Sequence, residues 1–202
     1  MTEPANTAYD EDGPLVSLCR KGDTDAFETL VKRHQKKMLN IAFRMTGSYE
    51  DACEIVQDAF VAAYGNISRF EERSRFSTWL YTIVVNRTRN HLKKAETLAG
   101  RREVSLDDPV RSEEGGICLE PVSAAPSVLE TLEQREAQAR VRQCINGLDK
   151  EFKEVLVLRD MQGFDYEEIS SMLGLAAGTV KSRLFRARES VKNCLKKLIG
   201  RP

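Results

Sequence analysis

Six prolines, at positions 4, 14, 109, 121, 126 and 202, constrain what this chain can fold into more than any other feature. A proline inside a helix removes a donor and clashes with the preceding turn. The proline-free stretches, 15–108 and 127–201, are therefore where long helices can form. Between them, residues 96–136 carry ten acidic against four basic side chains, a net of −6, and the middle of that span holds Gly115, Gly116, Pro121 and Pro126. Such a composition predicts a flexible acidic linker. The chain divides into an N-terminal domain over 14–95, a linker over 96–126 and a C-terminal domain over 127–200.

Apolar residues recur at helical spacing in both domains, so the predicted fold class is all-α, two small helical domains joined by the acidic linker. In the first domain Ala26, Phe27, Leu30 and Val31 are followed by Met38, Ile41, Ala42 and Met45, and Gly47 is a stop signal. Ser48 with Asp51 three residues on predicts a new helix whose apolar side is Ala52, Ile55, Val56, Ala59, Phe60 and Ala63, ending at Gly65. The segment 75–94 is rich in β-formers, but its length and Phe76, Leu80, Ile83 and Val84 favour a helix. In the second domain Ser127 and Glu130 open a helix to about Asn146, and another spans 150–161. Asp165 and Glu168 cap a short third, and Gly178 begins the last.

Composition excludes several classes. No stretch approaches the roughly 20 apolar residues of a membrane helix, and the first 13 residues are acidic and polar, unlike a signal peptide, so a cytoplasmic location is expected. The five cysteines, at 19, 53, 118, 144 and 194, are odd in number and scattered, which predicts reduced thiols, with Cys53 and Cys144 buried as small apolar residues. His34 and His91 lie far apart without a cysteine at ligand spacing, and no glycine-rich phosphate loop occurs. No metal, cofactor, catalytic residue or small-molecule substrate is therefore expected, and His34 reads as a surface helix residue.

The whole-chain charge of zero hides a strong asymmetry. From Gly178 to the C-terminus there are eight basic residues and one acid, a net of +7 on one helix. Ahead of it, Ile169, Met172 and Leu173 give a short helix an inward face, Gly174 can take a left-handed turn, and Val180 and Leu184 point inward from the next helix. This is the anatomy of a helix-turn-helix, whose second helix enters a major groove. Lys181, Ser182, Phe185 and Arg186 would face base edges, with Arg183, Arg188 and the other bases on phosphates.

In the N-terminal domain Asp51, Glu54 and Asp58 recur at steps of three and four with Gln57 beside them. That acidic stripe is either a solvated face or a docking surface for a basic partner helix. Further on, Asn86 and Asn90 lie one turn apart, and Arg87, Arg89, Lys93 and Lys94 make the second half of their helix basic. Asparagine amides both donate to and accept from base edges. The polar loop 67–74 upstream could receive a base taken out of its stack, with Phe70 as apolar contact, while Trp79 reads as core.

Taken together, DACEIVQDAF at 51–60, FSTWLYTIVVN at 76–86, the acidic linker, DYEEIS at 165–170 and GTVKSRLFRAR at 178–188 resemble the extracytoplasmic-function sigma factors of bacterial RNA polymerase, nearest the envelope-stress sigma-E group. The match runs through nearly the whole chain in order. The resemblance implies a region-2 domain over 14–95 and a region-4 domain over 127–200. By position, Asp51, Glu54, Gln57 and Asp58 would grip the clamp helices of the polymerase's largest subunit, and the polymerase flap is a further implied contact. Phe70, Asn86, Arg87, Asn90 and Lys93 would melt and read the −10 element. Lys181, Ser182, Arg183, Phe185, Arg186 and Arg188 would read the −35 element as duplex, and the acidic linker would follow the RNA exit path. The partners implied are core RNA polymerase, promoter DNA and an anti-sigma factor, often membrane-tethered, which fits control of a stress regulon. One departure is the loop sequence Glu71, Glu72, Arg73, more charged than the family pattern, with Glu72 an odd neighbour for DNA. A self-sufficient repressor would leave the acidic stripe, the asparagine-bearing helix and the long linker without a task.

Overall fold

A computed structural model of the chain describes residues 10–102 and 128–200, and among these all regular structure is helical. The chain forms two compact units. The N-terminal unit holds α1 (Gly13–Arg20), α2 (Thr24–Thr46), α3 (Tyr49–Asn66), a 3-10 turn at Ile67–Arg69 and α4 (Phe76–Arg102). The C-terminal unit holds α5 (Val128–Asn146), α6 (Lys150–Leu156) with a π turn at Val157–Met161, α7 (Tyr166–Leu173) as far as Ser170, and α8 (Ala177–Ile199).

Local signals set most of the boundaries. Asp23 accepts from the backbone N–H groups of Asp25 and Ala26 at the start of α2, and Gly47 stops that helix at φ 83°. Ser48 accepts from the Asp51 N–H at 3.2 Å and opens α3. Asp165 and Glu168 form a reciprocal capping box before α7, the N–H of each donating to the other's carboxylate at 2.9 and 2.7 Å. Gly174 takes the left-handed conformation, φ 65°, at the turn into α8.

The start of α4 depends on distant chain instead. The Phe76 N–H donates to the Asp10 carboxylate at 2.7 Å, so a residue 66 positions away serves as its cap. Helix α3 continues through Gly65 to Asn66, because the apolar residues Ala63 and Ile67 on either side are buried and hold the turn in place. Helix α4 continues to Arg102, into the span expected to be linker from 96. Helix α8 begins at Ala177, one residue before Gly178. The expected opening at Ser127 and the middle of the acidic linker lie outside the described residues.

In the N-terminal unit α2, α3 and α4 pack on one another and α1 lies on α2. Leu30, Met38 and Ile41 from α2, Ala52, Ile55 and Ala59 from α3, and Phe76, Leu80, Val84 and Val85 from α4 are nearly or completely withdrawn from solvent. Each large side chain so buried contributes about 1.5–3 kcal/mol. Thr88, also buried, returns its hydroxyl to the Val84 carbonyl at 2.8 Å.

His34 is not a surface residue. It is 6% exposed, with Nε2 2.8 Å from the Asp12 carboxylate and Nδ1 2.8 Å from the Tyr81 hydroxyl. Arg33 adds a contact to Asp12 at 2.5 Å. Burial would raise the Asp12 carboxyl, but the hydrogen bonds and charges of His34 and Arg33 prevail and hold it below its ordinary value. Burial, reinforced by the Asp12 charge, pushes the Tyr81 hydroxyl up to about 12. This polar cluster joins α1, α2 and α4, and a single helical wheel of α2 could not reveal partners from two other helices.

In the C-terminal unit α5 and α6 both pack on α8. Val155 and Leu156 of α6, Val157 and Leu158 of the π turn, and Val180, Leu184 and Ala187 of α8 are buried. Cys144 and Cys194 are not separate thiols: they form a disulfide between α5 and α8, with Cα atoms 5.7 Å apart. Their 50-residue separation in sequence concealed the pairing. Cys53 is exposed rather than buried, and Cys19 is buried. No helix among the described residues is long and apolar enough to cross a membrane.

Candidate nucleic-acid interface

Helix α8 presents one face of mixed chemistry. Val180, Leu184 and Ala187 turn inward, which leaves Lys181, Ser182, Phe185 and Arg186 outward and exposed. Phe185 is 67% exposed, an apolar side chain that the fold leaves to solvent amid polar neighbours. Lys181 sits over the Tyr166 ring of α7 at 5.5 Å, and Arg159 over the same ring at 4.8 Å. A face with two cations, a hydroxyl and an aromatic edge suits the mixed donor, acceptor and methyl pattern of a major groove.

The other two bases assigned to this interface have partners within the fold. Arg183 bridges to Glu151 at 2.6 Å and to the buried Glu154 at 3.5 Å, fastening α8 to α6. Arg188 meets Asp160 through Nε at 2.9 Å and Nη2 at 2.6 Å, a two-pronged contact that raises the guanidinium above its ordinary value. Arg183 thus serves first as a structural tie, and Arg188 reaches a phosphate only by leaving or sharing Asp160. These acidic partners stand 28 or more positions away, beyond any local signal.

In the N-terminal unit the fold brings the −10 candidates to the surface of α4. Asn86, Asn90 and Lys93 are exposed, and Arg87 is half-buried beside Asp58 of α3 at 3.2 Å. His91 approaches Asp51 at 3.5 Å. Glu54, Gln57 and Asp58 are exposed on α3, with Asp51 half-buried at the stripe's N-terminal end.

Phe70, expected as an apolar contact for an unstacked base, is buried. It is 5% exposed, with its ring 5.7 Å from Phe76 and 5.1 Å from Trp79. Packed against Phe76 and Trp79, it leaves little of its ring open to solvent for stacking. Trp79 is half-buried, so the aromatic group nearer solvent in this cluster is the one read as core.

One contributor to the loop was missed altogether. Arg20, the last residue of α1, reaches the loop with all three nitrogens: Nε to the Ile67 carbonyl at 3.5 Å, Nη2 to the Phe70 carbonyl, and Nη1 to the Glu72 carboxylate at 2.6 Å. No spacing rule links residues about 50 positions apart.

The chain matches two family models, Sigma-70 region 2 over residues 30–97 and Sigma-70, region 4 over residues 138–191. The ECF RNA polymerase sigma-E factor of Escherichia coli is 37% identical over 193 residues, which cover 94% of this chain and 97% of that protein. The RNA polymerase sigma-H factor of Pseudomonas aeruginosa is 32% identical over 190 residues, covering 94% and 96%. Among solved structures, CnrH in complex with the cytosolic domain of CnrY superposes with a TM-score of 0.66 at 25% identity, over 93% of this chain and 99% of that one. The sigma factor RpoE in complex with the anti-sigma factor NepR from Bartonella quintana shares the fold, with a TM-score of 0.63 at 22% identity over 84% and 96%. With both regions matched in order and relatives aligned almost end to end, the chain belongs to the extracytoplasmic-function sigma factors of the sigma-70 family.

Proposed function

We propose that this protein joins core RNA polymerase in the bacterial cytoplasm, directs it to promoters through paired −35 and −10 elements, and starts transcription of a stress-response regulon. The observation that carries the reading is the exposed α8 face, Lys181, Ser182, Phe185 and Arg186, set at the second helix of a helix-turn-helix in a chain of this family. In the N-terminal domain, taken as residues 14–95, Asn86, Asn90 and Lys93 with Arg87 engage the opened −10 strand. The α3 stripe of Asp51, Glu54, Gln57 and Asp58 docks on the polymerase's largest subunit.

Duplex recognition by the C-terminal unit, residues 127–200, supplies affinity through phosphate neutralisation and depends steeply on salt. Strand opening costs a few kcal/mol per unstacked base, which capture by the N-terminal unit offsets. Neither grip need be tight alone, since docking on one polymerase raises the effective concentration of each site for the other. Control by an anti-sigma factor fits the same arrangement, since the sigma factor RpoE from Bartonella quintana, which shares this fold, was solved in complex with the anti-sigma factor NepR.

Reconstitution with purified core polymerase, followed by genome-wide mapping of transcript starts, tests the reading. It predicts starts preceded by one recurrent pair of elements at constant spacing. Failure to bind core at micromolar concentration, or starts with no shared upstream element, would refute it.

A further inference from the structure

The charged tip of the loop between α3 and α4 has no task in the reading above. Glu71, Glu72, Arg73 and Ser74 are exposed, so the proposed capture of an opened strand at this loop would bring it near two adjacent carboxylates. Glu72 is also the non-glycine residue with positive φ among the described residues, at 56°. A side chain with a Cβ stays in that conformation only when its surroundings hold it there.

Arg20 is what holds it. One guanidinium engages the carbonyls of Ile67 and Phe70 and the carboxylate of Glu72. Its donors form a rigid planar fork, so fixing three acceptors fixes six residues of backbone, which a lysine's single ammonium could not do. On the far side of the loop, Asp10 caps the Phe76 N–H at 2.7 Å. The loop is thus pinned at both ends by the segment that carries α1. Glu72 pairs with Arg20 at 2.6 Å while its side chain stays 59% exposed.

We propose that Arg20 is a positioning residue for base capture: through Ile67, Phe70 and Glu72 it presets the loop that receives an unstacked base of the −10 element. The inference rests on the reading that this loop and the Asn86 face of α4 engage the opened strand. A loop ordered in advance need not pay its ordering entropy when the base arrives, which favours capture without touching duplex recognition.

The test uses full-length protein in holoenzyme on a promoter found by transcript mapping, with 2-aminopurine placed in turn across the −10 element so that fluorescence reports unstacking. Arg20→Ala should lower the extent of opening by about tenfold, the scale of one lost positioning contact. Core binding and −35 duplex binding should match wild type. Arg20→Lys should not rescue opening, and Arg20→Ala combined with Glu72→Gln should be no worse than Arg20→Ala alone.

Opening within twofold of wild type in Arg20→Ala, alongside a clear defect in Asn86→Ala, would overturn the positioning role while sparing the reading beneath it. Unchanged opening in both variants would sink that reading and this inference together. A loss of core binding or of thermal stability as large as the loss of opening would also overturn the inference, since a merely structural arginine would behave that way.

Discussion

The Arg87 guanidinium on α4 lies 3.2 Å from the Asp58 carboxylate on α3, so one ion pair joins the face assigned to opened DNA with the stripe assigned to polymerase. The Arg87 side chain is 40% exposed and that of Asp58 62%, so water screens the pair. Such pairs contribute about 0–1 kcal/mol to stability. Asp58→Ala should therefore shift the melting temperature little. It should weaken association with core polymerase in a binding assay, and it frees Arg87 for phosphate.

Two arginines of α8 differ in their surroundings. Arg186 is exposed, and Arg183 is held by Glu151 and Glu154. Arg186→Ala should weaken −35 duplex binding and reduce the slope of log affinity against log salt by about 1. Arg183→Ala should leave that slope nearer wild type and cost about 1 kcal/mol of stability, because it removes the ion pairs that fasten α8 to α6. Salt titrations with chemical denaturation on both variants separate the two roles.

The Asp12, His34 and Tyr81 cluster predicts how stability responds at both ends of the pH scale. The Asp12 carboxyl is depressed below 3.8 in the fold, so its contribution is complete above that value and is lost as pH falls through the folded pKa. The Tyr81 hydroxyl moves the opposite way, from 10.0 to about 12. Its contribution is complete below pH 10 and is lost as pH rises to about 12, with a ceiling of about 3 kcal/mol. Denaturation of Tyr81→Phe at high pH should show a shallower alkaline loss than wild type.

The Cys144–Cys194 disulfide spans 50 residues, and a crosslink of that reach stabilises by up to about 4 kcal/mol. Reductant, or Cys144→Ser with Cys194→Ser, should lower the melting transition of the C-terminal unit and spare that of the N-terminal one. Peptide mapping without reduction should recover the 144–194 pair, with the exposed Cys53 open to alkylation.

Much of the fold was legible because its causes are local. Gly47, Ser48 and the Asp165–Glu168 box act within one turn, and the inward faces of α2, α3 and α8 follow from helical spacing. The outward face of α8 was legible for the same reason, since turning Val180 and Leu184 inward leaves Lys181 and Phe185 outside. What periodicity could not show were the long-range partners. Asp10 on Phe76, Arg20 on the loop, Asp160 on Arg188 and Cys144 on Cys194 join elements whose meeting is decided by the packing of whole helices. His34 was misplaced by the same blindness: its own helix says surface, while Asp12 and Tyr81 arrive from elsewhere.

The central claim is a division of labour, with α8 reading intact duplex and α4 holding strands already apart. Abortive transcription by reconstituted holoenzyme, on a closed promoter and on the same promoter with a pre-opened −10 bubble, tests it most directly. Asn86→Ala should be impaired on the closed template and largely restored on the bubble, whereas Arg186→Ala should be impaired on both. Equal rescue of the two variants, or rescue of neither, would contradict the account.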